Sequence, residues 1–180
     1  MFGFLKPQRL PEGPYAFVGA VEIERPAAEV FPLVDLADPR HAKRQLGERV
    51  EQVDAHTWHM VLHELPDLVF ELTLTEREAP SSYGFACTIA PGVGRLAGSH
   101  ELYRLEARGP DRCRLELTNT VTFTGPLRPK ALQHESLLMT VSVHNALAKL
   151  KLHAEGGVAA VRAVEQDLVV GSSCEAARGH

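Results

Sequence analysis

Two periodicities divide this chain. From about residue 48 to residue 123 apolar and polar side chains alternate, and from 129 to 153 apolar residues recur at intervals of three and four. Alternation sends successive side chains to opposite faces of a strand, whereas three-to-four spacing draws one stripe along a helix. The alternation is clearest over 112–123. Its odd positions are Cys113, Leu115, Leu117, Asn119, Val121 and Phe123, and its even positions are Arg112, Arg114, Glu116, Thr118, Thr120 and Thr122. This is a long strand with one dry and one wet face. The same rule predicts a strand over 57–63, with Trp58, Met60 and Leu62 on one face, and another over 68–76, with Leu68, Phe70, Leu72 and Leu74. It predicts a third over 82–90, with Tyr83, Phe85, Cys87 and Ile89 together, and a fourth over 99–107, where Tyr103 and Leu105 oppose His100, Leu102, Arg104 and Glu106. A weaker strand covers 48–54, and 15–25 is β-prone with Phe17, Val21 and Ile23 on one face.

The joints are turn chemistry: Leu65-Pro66-Asp67, Ala79-Pro80-Ser81 and Arg108-Gly109-Pro110-Asp111. They are short, so successive strands pair antiparallel as a meander. Pro26 opens a short helix over 27–33, shortened or kinked by Pro32. Asp38-Pro39 reads as an N-cap and first helical position, predicting a second helix that ends near Leu46, before Gly47. The long helix starts at Pro129 and carries Leu132, Ser136, Met139, Val143, Ala146, Leu147 and Leu150 as its apolar stripe. Gly156-Gly157 stops it, a short helix follows over 158–170, and the last residues form a polar tail. The domain organisation is therefore an irregular lead-in over 1–14, one domain over 15–154 and a tail over 155–180. The fold class is α+β: a curved antiparallel sheet wrapped around one long helix of ~36 Å, with two short helices after the first strand.

Charge and cysteines narrow the function classes. Lys and Arg number 19 against 23 Asp and Glu, a net of −4, which repels phosphate backbones. The densest basic run is Arg40, His41, Lys43 and Arg44, with no aromatic residue interleaved to stack on bases, so no nucleic-acid partner is expected. Cys87, Cys113 and Cys174 are odd in number and lack CxxC spacing, which argues against a disulfide framework or a zinc finger. No run approaches the ~20 apolar residues that span a bilayer, and the first residues lack the pattern of a secretory signal. A cytoplasmic protein without stable membrane insertion is the expectation.

The segment Val21-Glu22-Ile23-Glu24-Arg25-Pro26-Ala27-Ala28-Glu29-Val30-Phe31 is a strand running into a proline-led helix. With the Asp35 to Pro39 segment, the meander and the closing helix, it resembles the SRPBCC superfamily. This is the helix-grip fold of START lipid-transfer domains, birch-pollen-allergen-like proteins and polyketide cyclases. The resemblance covers 19–152, about three quarters of the chain. Where family members often carry Trp near their Asp-Pro pair, this chain has Arg40-His41. The resemblance implies a cavity between sheet and helix. Members bind sterols, lipids, hormones, polyketides or quinones, and only some are enzymes.

The strand faces and helix stripe name the residues that would line such a cavity: Trp58, Met60, Phe70, Leu72, Tyr83, Phe85, Cys87, Tyr103, Leu117, Val121, Met139 and Val143. They could equally fill a solid core. Asn119 interrupts the driest strand face, and a buried amide needs a partner. That partner is either a ligand carbonyl or hydroxyl, or Tyr83, Ser136 or backbone. Tyr83, Tyr103, Glu101 and Asn119 are the candidate catalytic groups for cyclase-like or dehydratase-like proton transfer. His56, His59 and His63 do not make a metal site on a strand, because His59 and His63 lie ~13 Å apart. The glycine-rich loop over 91–98 precedes a strand, not a helix, so it reads as a hairpin loop that can gate a cavity mouth, not a phosphate cradle. No cofactor is expected. The readings are a soluble binder of one small, mostly apolar molecule, an acid–base enzyme of the cyclase or aromatase type using the same cavity, or a protein-interaction module.

Overall fold

The structure is a computed structural model describing residues 9–176, with side chains through Glu165. Part of the expected lead-in, 1–8, and the last four residues of the expected tail lie outside the described residues. Strand β1 (Tyr15–Ile23) leads into α1 (Ala27–Val34) and α2 (Ala42–Gln45). Six strands follow: β2 (Arg49–Gln52), β3 (Thr57–Leu62), β4 (Leu65–Glu78), β5 (Ser82–Ala90), β6 (Leu96–Ala107) and β7 (Cys113–Phe123). The last element is helical over α3 (Pro129–Ala176), interrupted at Gly157. The sheet is antiparallel throughout, in the order β1-β7-β6-β5-β4-β3-β2, so the first strand closes onto the last while β2 forms the far edge. In β7 all six odd positions from Cys113 to Phe123 are buried, and none of the even ones is.

The helix grips this sheet where the sheet yields. Gly19 of β1 leaves room for α3, since a Cβ there would meet Leu147 Cδ1 and Val143 Cγ1 at 2.9 Å each. Val143, Leu147 and Leu150 are buried in that contact. The helix end is tied to the end of β1 by charge: Lys151 Nζ donates to the Glu22 carbonyl at 2.7 Å, and the Glu24 N–H donates to Glu155 Oε1 at 2.8 Å. Arg25 Nε donates to the Ala154 carbonyl at 3.2 Å, so a cation meets carbonyls left over at the end of a helical run.

Three expectations need correction. The second helix begins at Ala42, not at Pro39. Asp38 does not cap it, because Asp38 Oδ1 accepts from the Arg40 N–H at 2.8 Å and the carboxylate also holds the Arg40 guanidinium. An Asx turn has replaced the first helical turn. The turn expected at Leu65-Pro66-Asp67 lies two residues earlier, at His63-Glu64, with Leu62 paired to Leu65. Pro66 enters the strand because β4 meets β5 only from Val69 onward, so its missing N–H falls where one neighbour is absent. Finally, Gly157, at φ 72, turns the chain back instead of ending it, and helix resumes to Ala176, beyond the expected 170. Lys149 and Glu165 are 16 residues apart, which in one straight helix is ~24 Å, yet Nζ and Oε1 stand 2.7 Å apart. The second leg therefore folds back along the first.

Candidate functional site

A cavity of about 360 Å³ lies between the sheet and the first leg of α3, bordered also by α1 and α2. Its walls follow from strand alternation. Met60 and Leu62 come from β3, Phe70 and Leu72 from β4, Phe85, Cys87 and Ile89 from β5. From β6 come Ser99, Glu101 and Tyr103, and from β7 Asn119 and Val121. The helix contributes Met139, Ser142, Ala146, Lys149, Leu150 and His153. These recur at three and four, one stripe turned slightly from the stripe that packs on β1.

Of the residues expected to line a cavity, Met60, Phe70, Leu72, Phe85, Cys87, Tyr103, Asn119, Val121 and Met139 border it. Trp58, Tyr83, Leu117 and Val143 do not border it and are buried in the surrounding core. Tyr83 is fully buried, and its hydroxyl accepts the Leu36 N–H at 3.1 Å. That bond ties the α1–α2 connection to the sheet, with the Phe31 ring edge-on at 6.1 Å. Burial pushes the Tyr83 phenol up to about 12, so the geometry assigns it to structure, away from the cavity. Cys87 does face the cavity, but burial raises its thiol to about 12 as well, leaving no thiolate near neutral pH.

Part of the cavity wall is polar. Tyr103 Oη donates to Glu101 Oε2 at 2.7 Å. Desolvation pushes the Glu101 carboxyl above its ordinary range, and it pushes the Tyr103 phenol well up too. Glu101 pairs with Asn119 across the β6–β7 ladder, so their side chains share the cavity face. Asn119 is 8% exposed, and its Oδ1 is closed to water with no hydrogen-bond partner. The alternative of an internal partner for that oxygen, in Tyr83, Ser136 or backbone, is not realised.

The cavity wall also carries basic residues, which the sequence reading missed. His41, Lys43, Lys149 and His153 all border the cavity. His41 is buried beside Arg44 and Lys43, and desolvation followed by those two charges lowers its pKa to about 4. His153 is buried as well, with Nε2 2.9 Å from Gln45 Oε1, and burial lowers its pKa. Lys149 pairs with Glu165. The basic run on and before α2 is dispersed in space: Arg40 pairs with Asp38, His41 turns inward, and Arg44 donates to the Leu36 carbonyl at 3.1 Å and to the Val50 carbonyl. A signal for two of these basic residues was present, because Lys149 and His153 continue the Met139, Ser142, Ala146 spacing.

His59 and His63 stand on the outer side, His59 3.4 Å from Glu71 and His63 3.0 Å from Glu48. Among the described residues no group of three or more His, Cys, Asp or Glu is placed to hold a metal ion. No described helix is long and apolar enough to cross a membrane.

No family model matches the chain, and no curated protein matches it. Solved structures do. Ara h 8.0201 aligns with a TM-score of 0.58 at 14% identity, over 75% of this chain and 95% of that one. DynU16, a protein in the dynemicin biosynthetic locus, aligns at 0.59 and 16%, over 79% of this chain and 48% of that one. An uncharacterised protein from Bacillus thuringiensis aligns at 0.59 and 11%, over 78% and 98%. At such identities the likeness is one of fold. Seven antiparallel strands curved around one long helix, with two short helices after the first strand, make a helix-grip fold, and these neighbours share it.

Proposed function

We propose that this chain binds one small, mostly apolar molecule in the cavity between sheet and helix. The observation that carries this reading is a 360 Å³ hollow walled by aliphatic and aromatic side chains with a few polar groups among them. That is the composition of small-molecule sites, which span roughly 300–1,000 Å³. Burying roughly 200–300 Å² of apolar ligand surface at about 25 cal/mol per Å² is worth about 5–8 kcal/mol, before the cost of immobilisation. Met60 and Met139 add adaptable walls, and Phe70 and Phe85 add flat ones. Native mass spectrometry of the purified protein tests this, together with thermal shifts across a panel of fatty acids, quinones and polycyclic aromatics. A co-purified mass or a saturable shift supports it. No adduct and no shift from any member of the panel refutes it.

One observation favours a second reading, an acid–base enzyme of the cyclase or dehydratase type. Glu101, bordering the cavity and hydrogen-bonded to Tyr103, has its carboxyl raised by desolvation, the direction that suits a general acid. Glu101→Gln discriminates between the two. In a carrier it leaves ligand capture in place, whereas in an enzyme it abolishes turnover of the captured molecule.

A further inference from the structure

The cavity wall is unbalanced in charge. Lys43 of α2 and Lys149 of α3 border it, against Glu101 as the one acid among the described lining residues. Desolvation pushes Glu101 towards its uncharged form. His41 and His153 border the cavity too, but burial lowers the pKa of both, so they stand neutral near pH 7. Positive charge therefore prevails in the wall. The two lysines lie near each other because α2 packs on α3. Gln45 Oε1 stands 2.9 Å from His153 Nε2, and Lys149 lies one helical turn before His153. Both lysines act on one carboxylate, since Lys149 and then Lys43 lower the Glu165 carboxyl. Only Lys149 pairs with it, Nζ to Oε1 at 2.7 Å; among the described residues the Lys43 ammonium has no hydrogen bond and no ion pair. The Lys149 side chain is 50% exposed and Lys43 is half-buried, so each keeps contact with water while bordering the hollow. The chain thus sets a carboxylate of its own on one of these lysines and leaves the other without one.

Resting on the cavity reading above, we propose that the molecule held there is an apolar monocarboxylate, whose acid group takes the ammonium of Lys43 while its apolar body fills the hollow. A neutral polar head gains nothing from that charge. An ammonium head meets two lysines and is repelled. A phosphate monoester brings nearly two negative charges to a place with one free ammonium. A carboxylate matches that ammonium one for one in a charge-assisted hydrogen bond. Its remaining lone pairs stay in water, so no bare charge is buried.

The test uses the full chain and four naphthalene probes, titrated by calorimetry near pH 7: naphthalene-2-acetate, its neutral amide, 2-naphthylethylammonium and 2-naphthyl phosphate. The acetate and the amide match in shape and differ in charge. The acetate should bind at least about fivefold more tightly, a modest factor because a part-exposed pair is weaker than an enclosed one. The preference should shrink between about 0.1 M and about 1 M salt, as screening requires. Lys43→Met, which keeps an apolar stem, should bring the two affinities together. Equal binding of acetate and amide to the unaltered chain refutes the acid assignment while the cavity reading stands. Tighter binding of the ammonium or of the phosphate overturns the carboxylate in favour of that head group. A preference for the acetate that survives Lys43→Met overturns the assignment to Lys43. If no probe binds, the cavity reading falls and the carboxylate with it. The comparison of probes on the unaltered chain decides the head group even where Lys43→Met does not fold.

Discussion

Removing the imidazole of His41 should flatten the acid side of the stability profile. His41 is 7% exposed, and burial beside Arg44 and Lys43 lowers its pKa from 6.5 to about 4. Below 6.5 the unfolded chain takes up a proton that the folded chain refuses until about 4. The stability is therefore fully present above 6.5 and drains away as the pH falls towards 4. At about 1.4 kcal/mol per pH unit, the gap between 6.5 and about 4 amounts to roughly 3.5 kcal/mol. His41→Leu removes this loss. It should change stability by less than about 1 kcal/mol at pH 7, because Nδ1 has no partner to forfeit and the side chain makes no capping bond to α2. Urea unfolding of both proteins at pH 7, 5.5 and 4.5 measures the effect. Carboxylates held low by partners, such as Asp38 and Glu155, lose stability in acid in both proteins, and enclosed Glu101 acts in the opposite sense in both. Taking the difference between the two curves isolates His41, including its repulsion with His153. The variant should overtake the parent below about pH 5.5. Curves that run parallel from pH 7 to pH 4.5 would show that His41 titrates alike in both states, and the argument from burial would fail.

Tyr83→Phe leaves the Leu36 N–H unpaired in the core and should cost about 1–3 kcal/mol in chemical denaturation without weakening ligand capture; an unchanged stability would mean the 3.1 Å bond contributes nothing. Gly19→Val drives a branched side chain into Val143 and Leu147 and should cost about 1–3 kcal/mol, read as a lowered Tm, whereas Ala20→Val next to it points outward and should be nearly neutral. Gly157→Ala forces a side chain into a backbone region reserved for glycine and should cost about 1–3 kcal/mol, because no neighbour crowds the position and conformation alone opposes it. Equal hydrogen exchange in the Lys149 to Glu165 stretch of parent and variant would refute that account.

Exposed polar contacts deserve less weight in this protein than the few enclosed ones. The Arg40–Asp38, Arg108–Glu106 and Arg49–Glu51 pairs lie in water and contribute little. Asp35 differs: its side chain is 3% exposed, and one oxygen accepts from Arg77 Nε and Nη2 at 3.0 and 2.8 Å while the other accepts from the Ala37 N–H. It joins the α1–α2 connection to β4, and so helps to hold the side of the cavity formed by Leu33, Val34 and Leu36.

Local pattern alone determined the strands, their antiparallel pairing and the long helix of this chain. Burial against one face imposes a period of two on each strand, and each residue from Cys113 to Phe123 bears the mark of it. The aromatic and aliphatic walls of the cavity were legible for the same reason, from Met60 through Phe85 to Val121. What the pattern could not carry is which dry residues meet a hollow and which meet one another. Trp58 and Met60 share a face of one strand, yet only Met60 reaches the cavity, because helix position and sheet curvature decide where the layers separate. Nor could it show that His41, Lys43, Lys149 and His153 converge, since these residues come from two helices more than a hundred positions apart. The reversal at Gly157 was legible only as a stop, because a glycine marks a break in a helix while the direction of the chain beyond it is set by what it packs on. Sequence periodicity records whether a side chain is dry; only the folded arrangement of layers decides what that dryness encloses.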